Sequence, residues 1–277
     1  MRSLFSTMPL RSLVSQTCEF INIQQKINSG KLRGLSVSAL DYSNISTKTF
    51  FQGAGDIQVW DRPMHRSESC IIGVEHVMAS TAIPLLFPPI KVGTGYFGDG
   101  CIRNQSPCSP AIYMGVDRFI AIGVRRRQDT WYSYYHSEDS AAPSITRILN
   151  VIFHSMMMDG IELDLQRIAQ MNAQVELMAQ HSKRKSKSRA VDFVWISPSI
   201  DCAKLASQKG SKLPNLVRYL LTGAGSLAEA SELVSFLLFE PSYCQQLIEI
   251  GFTDGMKQKD QILRLLDTSQ DSKNGAA

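Results

Sequence analysis

Asp99 stands between Gly98 and Gly100, directly after the aromatic pair Tyr96-Phe97. A carboxylate set between glycines at the end of a short apolar stretch reads as the tip of a strand. Glycine on both sides lets the backbone turn sharply and lets another group come close. Such a placement is one way to present a general base. Aspartate is also common in turns for conformational reasons alone, because its side chain bonds its own backbone. Gly-Asp-Gly by itself does not choose between these readings. The remaining reactive side chains are scattered. Six cysteines, at 18, 70, 101, 108, 202 and 244, form no Cys-x-x-Cys pair, and Cys101 and Cys108 have no histidine at ligand spacing. Neither a metal site nor a cofactor is expected from them. None of the five histidines falls into a triad pattern, and His76 reads as a half-buried structural residue.

The elements that must position Asp99 follow from periodicity. Residues 1–30 read as helix, with Leu10, Leu13, Val14, Phe20, Ile21, Ile23 and Ile27 at roughly helical spacing before Ser29-Gly30. Residues 32–40 alternate around Leu35, Val37 and Ala39. After a polar turn at 41–46, a second β-rich run at 47–52 completes a predicted hairpin. A short helix over 74–81 must give way to extended chain at Pro84 and Pro88-Pro89. A strand ending near Phe97, a helix over 109–114 and an apolar run over 119–124 come next. That run, apolar on both faces, predicts a buried parallel strand. Beyond a polar linker at 129–144 the spacing predicts a long helix over 145–180, bent at Asp159-Gly160. A strand over 191–196 and helices over 227–239 and 242–250 follow. The alternation predicts an α/β fold, divided into 1–127 and a largely helical 128–277.

Composition narrows the class. The chain has 277 residues, 44% hydrophobic and 19% charged, which suits a globular protein rather than a disordered one. Its formal charge is +4, yet Lys183, Arg184, Lys185, Lys187 and Arg189 supply five positive charges within seven residues; without them the remainder carries −1. The basicity is local. It reads as a solvated loop or as a site for anionic lipid headgroups. Nucleic-acid binding is not expected, since aromatic side chains are not interleaved with the basic ones. No apolar run has signal-peptide or membrane-span length, so the expectation is a cytoplasmic protein, with peripheral membrane contact through 183–189 as the further reading.

The order of motifs around Asp99 is more specific than Gly-Asp-Gly. Ala79-Ser80-Thr81-Ala82-Ile83-Pro84, Phe87-Pro88-Pro89, Asp99-Gly100, Asn104, Pro107 and Ile120-Ala121-Ile122 follow one another. This arrangement resembles the aspartate half of the bacterial-type patatin-like phospholipases. The resemblance is strongest over 74–124 and weaker over the rest of the chain. It implies a mainly parallel sheet flanked by helices, with a mostly helical C-terminal extension. It also implies hydrolysis of a glycerolipid or phospholipid ester by a Ser–Asp dyad, with Asp99 as the base that takes the serine proton. Cys101 stands where the family has Gly or Ala, which adds bulk beside the carboxylate. The family's serine lies in a Gly-x-Ser-x-Gly elbow, with oxyanion donors from a glycine-rich loop. Neither motif is in this chain. Gly34-Leu35-Ser36-Val37-Ser38 is the nearest mimic, but it lacks the last glycine and lies within a strand pattern. Ser80 matches a structural position of the motif, and Met156-Met157-Met158 reads as core packing. The expectation is therefore a C-terminal portion of such an enzyme, without its nucleophile and inactive alone. It would associate with itself or with an N-terminal fragment. The alternative is a non-catalytic lipid-surface or protein-interaction scaffold derived from the family.

Overall fold

A computed structural model of the chain describes residues 3, 5–127, 142, 144–157, 160–181, 189–213 and 230–267. The Met156–Met158 side chains, residues 183–188 of the basic run and Asp159 of the expected bend lie outside the described residues. The chain divides into two compact units. One comprises Met1–Asp117 with Leu163–Ile168, and the other Arg118–Glu162 with Ala169–Ala277.

The first unit opens with two helices, α1 (Met8–Thr17) and α2 (Ile21–Asn28), where the periodicity predicts one. The break falls at Cys18, whose backbone is extended. At the end of α2 the Gly30 N–H reaches the Ile27 carbonyl with φ +72°, a left-handed stop that glycine adopts without strain. The predicted hairpin forms as β1 (Gly34–Asp41) and β2 (Ser46–Gly53), antiparallel from Gly34 opposite Gly53 to Asp41 opposite Ser46. Its turn is held by two side chains. Asp41 accepts from the Ser43 N–H and hydroxyl, and Asn44 does the same for Ser46. After β3 (Asp61–Arg62), strand β4 (His65–Ser69) returns parallel to β2. Helix α3 (Val74–Ser80) follows, and then the hairpin of β5 (Ile90–Val92) and β6 (Gly95–Asp99). The resulting sheet runs β3-β4-β2-β1-β6-β5.

This sheet is mixed, not mainly parallel. Among the described strands of this sheet only β2–β4 is a parallel pair; β1–β2, β1–β6, β3–β4 and β5–β6 are antiparallel. Short turns join β1 to β2 and β5 to β6, and a short turn can only return a strand antiparallel. Helix α3 packs on the face that carries Ala39, Phe50, Ile90 and Phe97, and buries Met78 and Ala79 there. Phe51, Ile57, Trp60 and Met114 form a second cluster, in which Phe51 and Trp60 stack at 5.4 Å. The short helix α4 (Ser109–Tyr113) supplies Tyr113 against Trp60.

The second unit contains a two-stranded parallel sheet of β7 (Arg118–Ile122) and β8 (Asp192–Ile196), with Phe119 stacked on Phe193. The parallel pairing is as predicted for the apolar run, but the burial is not. Ala121 is buried, whereas Ile120 and Ile122 are 39% and 72% exposed. The described helices are α5 (Ile145–Met157), α6 (Gly160–His181), α7 (Cys202–Gln208), α8 (Ser231–Leu237), α9 (Pro241–Lys257) and α10 (Lys259–Leu266). Residues 163–168 of α6 count with the first unit, where Asp164 accepts the Cys108 N–H. Side-chain caps start three of these helices: Ser144 accepts the Arg147 N–H, Asp201 the Lys204 N–H, and Glu240 the Tyr243 N–H. No helix among the described residues is long and apolar enough to cross a membrane.

Candidate active site

Asp99 ends β6, opposite Ala39 of β1, and is 7% exposed. Its backbone N–H donates to the Ala82 carbonyl at 2.9 Å. The Ala-Ser-Thr-Ala-Ile-Pro segment and the Gly-Asp-Gly segment, separated by a hairpin in sequence, thus meet directly in space. The carboxylate ends a strand and opens a single 3-10 turn, Gly100–Ile102, and its Oδ1 accepts the Cys101 N–H at 2.9 Å.

The two glycines have different tasks. Gly100 lies against the neighbouring strand, where a Cβ would come within 2.5 Å of the Ser38 carbonyl oxygen and 2.9 Å of its carbon. That contact is backbone on backbone, so only glycine fits. The same carbonyl accepts the Ser80 hydroxyl at 2.7 Å, which explains a serine at this point of the motif: it pins the end of α3 to β1. At Gly98 a Cβ would meet the Tyr42 phenol, with the oxygen at 2.5 Å. Neither glycine has a left-handed φ. Close approach, rather than turn geometry, is their reason.

Burial pushes the Asp99 carboxyl above its ordinary range, opposed by the Cys101 N–H and thiol. No cation pairs with it among the described residues. A buried carboxylate without a counter-ion is disposed to take a proton from a hydroxyl placed within about 2.6–3.2 Å of it. Cys101 is an exposed residue, yet its thiol is driven up to about 12 by the protein around it and by the Asp99 charge. It stays a neutral thiol and serves Asp99 as a donor. Tyr42, which sequence reasoning did not single out, belongs to the same neighbourhood. Its phenol is shifted upward by burial and by the Asp99 carboxylate. The register of the long-range pairing of β1 with β6, which carries Tyr42, one residue past β1, over Gly98, is not visible in residue spacing.

No serine hydroxyl bonds to Asp99 among the described residues. Ser36 lies in mid-strand opposite Phe51, not on a strand-to-helix turn. Asn104 sends its N–H to the Gly100 carbonyl at 3.0 Å, while its side-chain oxygen is buried without a protein partner. Away from the site, His76 is half-buried, as expected. Its Nδ1 accepts the Gly73 N–H at 3.1 Å and its Nε2 faces the Cys70 sulfur at 3.6 Å, an arrangement that burial keeps neutral on both sides. Cys108 is buried and bonded through its backbone to Asp164, well apart in role from Cys101. No group of three or more potential ligands that could hold a metal occurs among the described residues. Neither a family model nor a curated protein matches this chain.

Proposed function

We propose that this chain is the base-bearing part of a patatin-like lipid acyl hydrolase, with Asp99 as the dyad aspartate and the serine contributed by a further stretch of polypeptide. The observation that carries the reading is the state of Asp99. It is buried, shifted upward, unpaired with any described cation, and anchored by its own N–H to the motif segment that precedes it. A structural turn aspartate gains from facing solvent or a cation, and this one is buried with no cation beside it among the described residues. In the complete enzyme a serine hydroxyl would pass its proton to Asp99 while its oxygen attacks the lipid ester, and Asp99 would hand that proton to the departing alcohol. Water would then attack the acyl-serine, giving a proton to Asp99, which returns it to the serine oxygen as the fatty acid leaves. The exposed Ile120 and Ile122 support an added neighbour for β7, because parallel strands are ordinarily covered on both faces. A second reading, a non-catalytic scaffold, is favoured by the Cys101 thiol, which occupies the carboxylate that a base must keep free.

The two are separated by reconstitution. The chain alone should take no fluorophosphonate label at serine. Joined to an upstream segment carrying Gly-x-Ser-x-Gly and a glycine-rich loop, it should hydrolyse phospholipid or glycerolipid esters. Asp99→Asn should then lower the rate roughly 10³–10⁴-fold, the scale seen when a member of such a catalytic set is removed. Asp99→Asn retaining more than about a tenth of the activity would refute the assignment.

A further inference from the structure

Helices α9 and α10 carry an apolar face that the hydrolytic reading does not use. One side of α9 is tied to its own unit. Tyr243 is buried with its hydroxyl donating to the Cys202 carbonyl, and buried Asp254 accepts the Ser199 N–H at 2.7 Å and the Lys257 ammonium at 2.9 Å. The other side is open. Ile248 and Phe252 are 71% and 70% exposed, Met256 is 50% exposed, and Leu263 of α10 adds another 54%. With Gly251, Gly255 and Lys259, three of these side chains (Phe252, Met256 and Leu263) line an open apolar cavity of about 320 Å³. Ile248, Gly251, Phe252, Gly255 and Met256 repeat at the intervals that place side chains on one helix face. At both glycines no atom lies within 4 Å of where a Cβ would sit. No described residue requires glycine there, although each costs about 1 kcal/mol against alanine within a helix. The bulky and notched positions fit something outside the fold.

We propose that this face joins two copies of the chain, with α9 packed antiparallel on the α9 of a second copy about a two-fold axis. The pattern is complementary to itself. If Phe252 of one copy lies over Gly255 of the other, the antiparallel register necessarily sets Met256 over Gly251, and symmetry repeats both contacts. An unrelated partner would need large residues opposite the notches but no notches opposite Phe252 and Met256. A helix of 17 residues spans only about 26 Å. Its face falls short of the roughly 800 Å² per partner of a stable interface, so the dissociation constant should be on the order of micromolar.

Sedimentation velocity of the full chain from about 1 to 300 µM decides this, spanning the expected constant. A monomer–dimer equilibrium is expected. Gly255→Phe fills a notch and should weaken it at least tenfold. Phe252→Lys replaces the apolar knob with a charge and should do the same while leaving the notch itself unfilled. Gly255→Phe combined with Phe252→Ala exchanges knob and hole on both copies and should restore the dimer. A wild-type chain that stays monomeric overturns the proposal. So does association that neither single variant weakens, which would locate the contact elsewhere, for example at β7. Failure of the combined variant to recover dimerisation, with its thermal melt unchanged, overturns the second-copy register.

Discussion

Strands β6 and β7 are each five residues long, yet they end in opposite circumstances. β6 has a neighbour on either edge, β1 and β5, and its last three residues, Phe97, Gly98 and Asp99, are all buried. Among the described residues β7 has β8 alone in its sheet, and Ile122 is 72% exposed. A ladder closed on both sides can hold a carboxylate dry and so alter its proton affinity. A two-stranded parallel ladder gives little of the cover that its apolar residues would gain from. The contrast separates two roles that an apolar strand can play. β6 spends its hydrophobicity within its own sheet and holds a reactive group dry at its end, while β7 keeps its hydrophobicity available for a neighbour.

The largest effect that tests this contrast is in stability. Phe97 sits in the core with its ring edge-on to Phe50 at 5.2 Å, so Phe97→Ala should cost about 3–5 kcal/mol in chemical denaturation. Ile122→Ala should change the same quantity by less than about 0.5 kcal/mol and should reduce concentration-dependent light scattering. Comparable losses at the two sites would mean that β7 is covered in solution and that the contrast is wrong.

A smaller effect sharpens the description of the site. Gly100→Ala drives a Cβ into the Ser38 backbone, and either β1 or the 3-10 turn must move, at about 1–3 kcal/mol. Gly98→Ala meets only the outer end of the Tyr42 ring, which can swing aside, so less than about 1 kcal/mol is expected. Equal costs in thermal melts would show that Tyr42 is as fixed as the backbone. A difference in the stated order marks Gly100 as the constraint that holds Asp99 in place.

Much of this architecture was legible in residue order because it depends on local chemistry. The alternation at Leu35, Val37 and Ala39 with the polar turn after Asp41 gave the hairpin, and the prolines after Ser80 bounded α3. Close approach at Gly100 was likewise readable as a use of glycine. The features that escaped depend on long-range pairing. Nothing local states that β4 returns parallel to β2, nor that Tyr42 lies over Gly98, nor that the Cys70 sulfur faces His76. The expected single helix over 1–30 failed at Cys18 because spacing alone counted Phe20 and Ile21 into a repeat that the backbone interrupts. The predicted two-sided burial of 119–124 was the most informative miss. Its composition matches a buried parallel strand, and its surroundings within the described residues do not.

The subtlest prediction concerns the charge on Asp99 itself. Burial raises its carboxyl above the ordinary value, to which it returns in the unfolded chain. A group of this kind favours folding below its ordinary range, and that contribution is lost as pH rises through the raised folded value. Above that raised value the folded protein carries an ionised group in a dry place. Asp99→Asn keeps an oxygen for the Cys101 N–H and removes the charge, so it should stabilise the chain by roughly 0.5–2 kcal/mol at pH 7–8. The gain should shrink as pH falls through the raised folded value toward the ordinary carboxylate range. Because every other titrating group is common to the two proteins, their difference in denaturation midpoint isolates Asp99. Cys101→Gly adds a coupled test. The Cys101 thiol favours the ionised carboxylate, so its removal should raise the Asp99 carboxyl further and widen the gap at neutral pH. A gap that grows toward low pH would have the opposite sign. It would mean that Asp99 is held by a cation in solution, and a carboxylate so held is a structural anchor rather than a base.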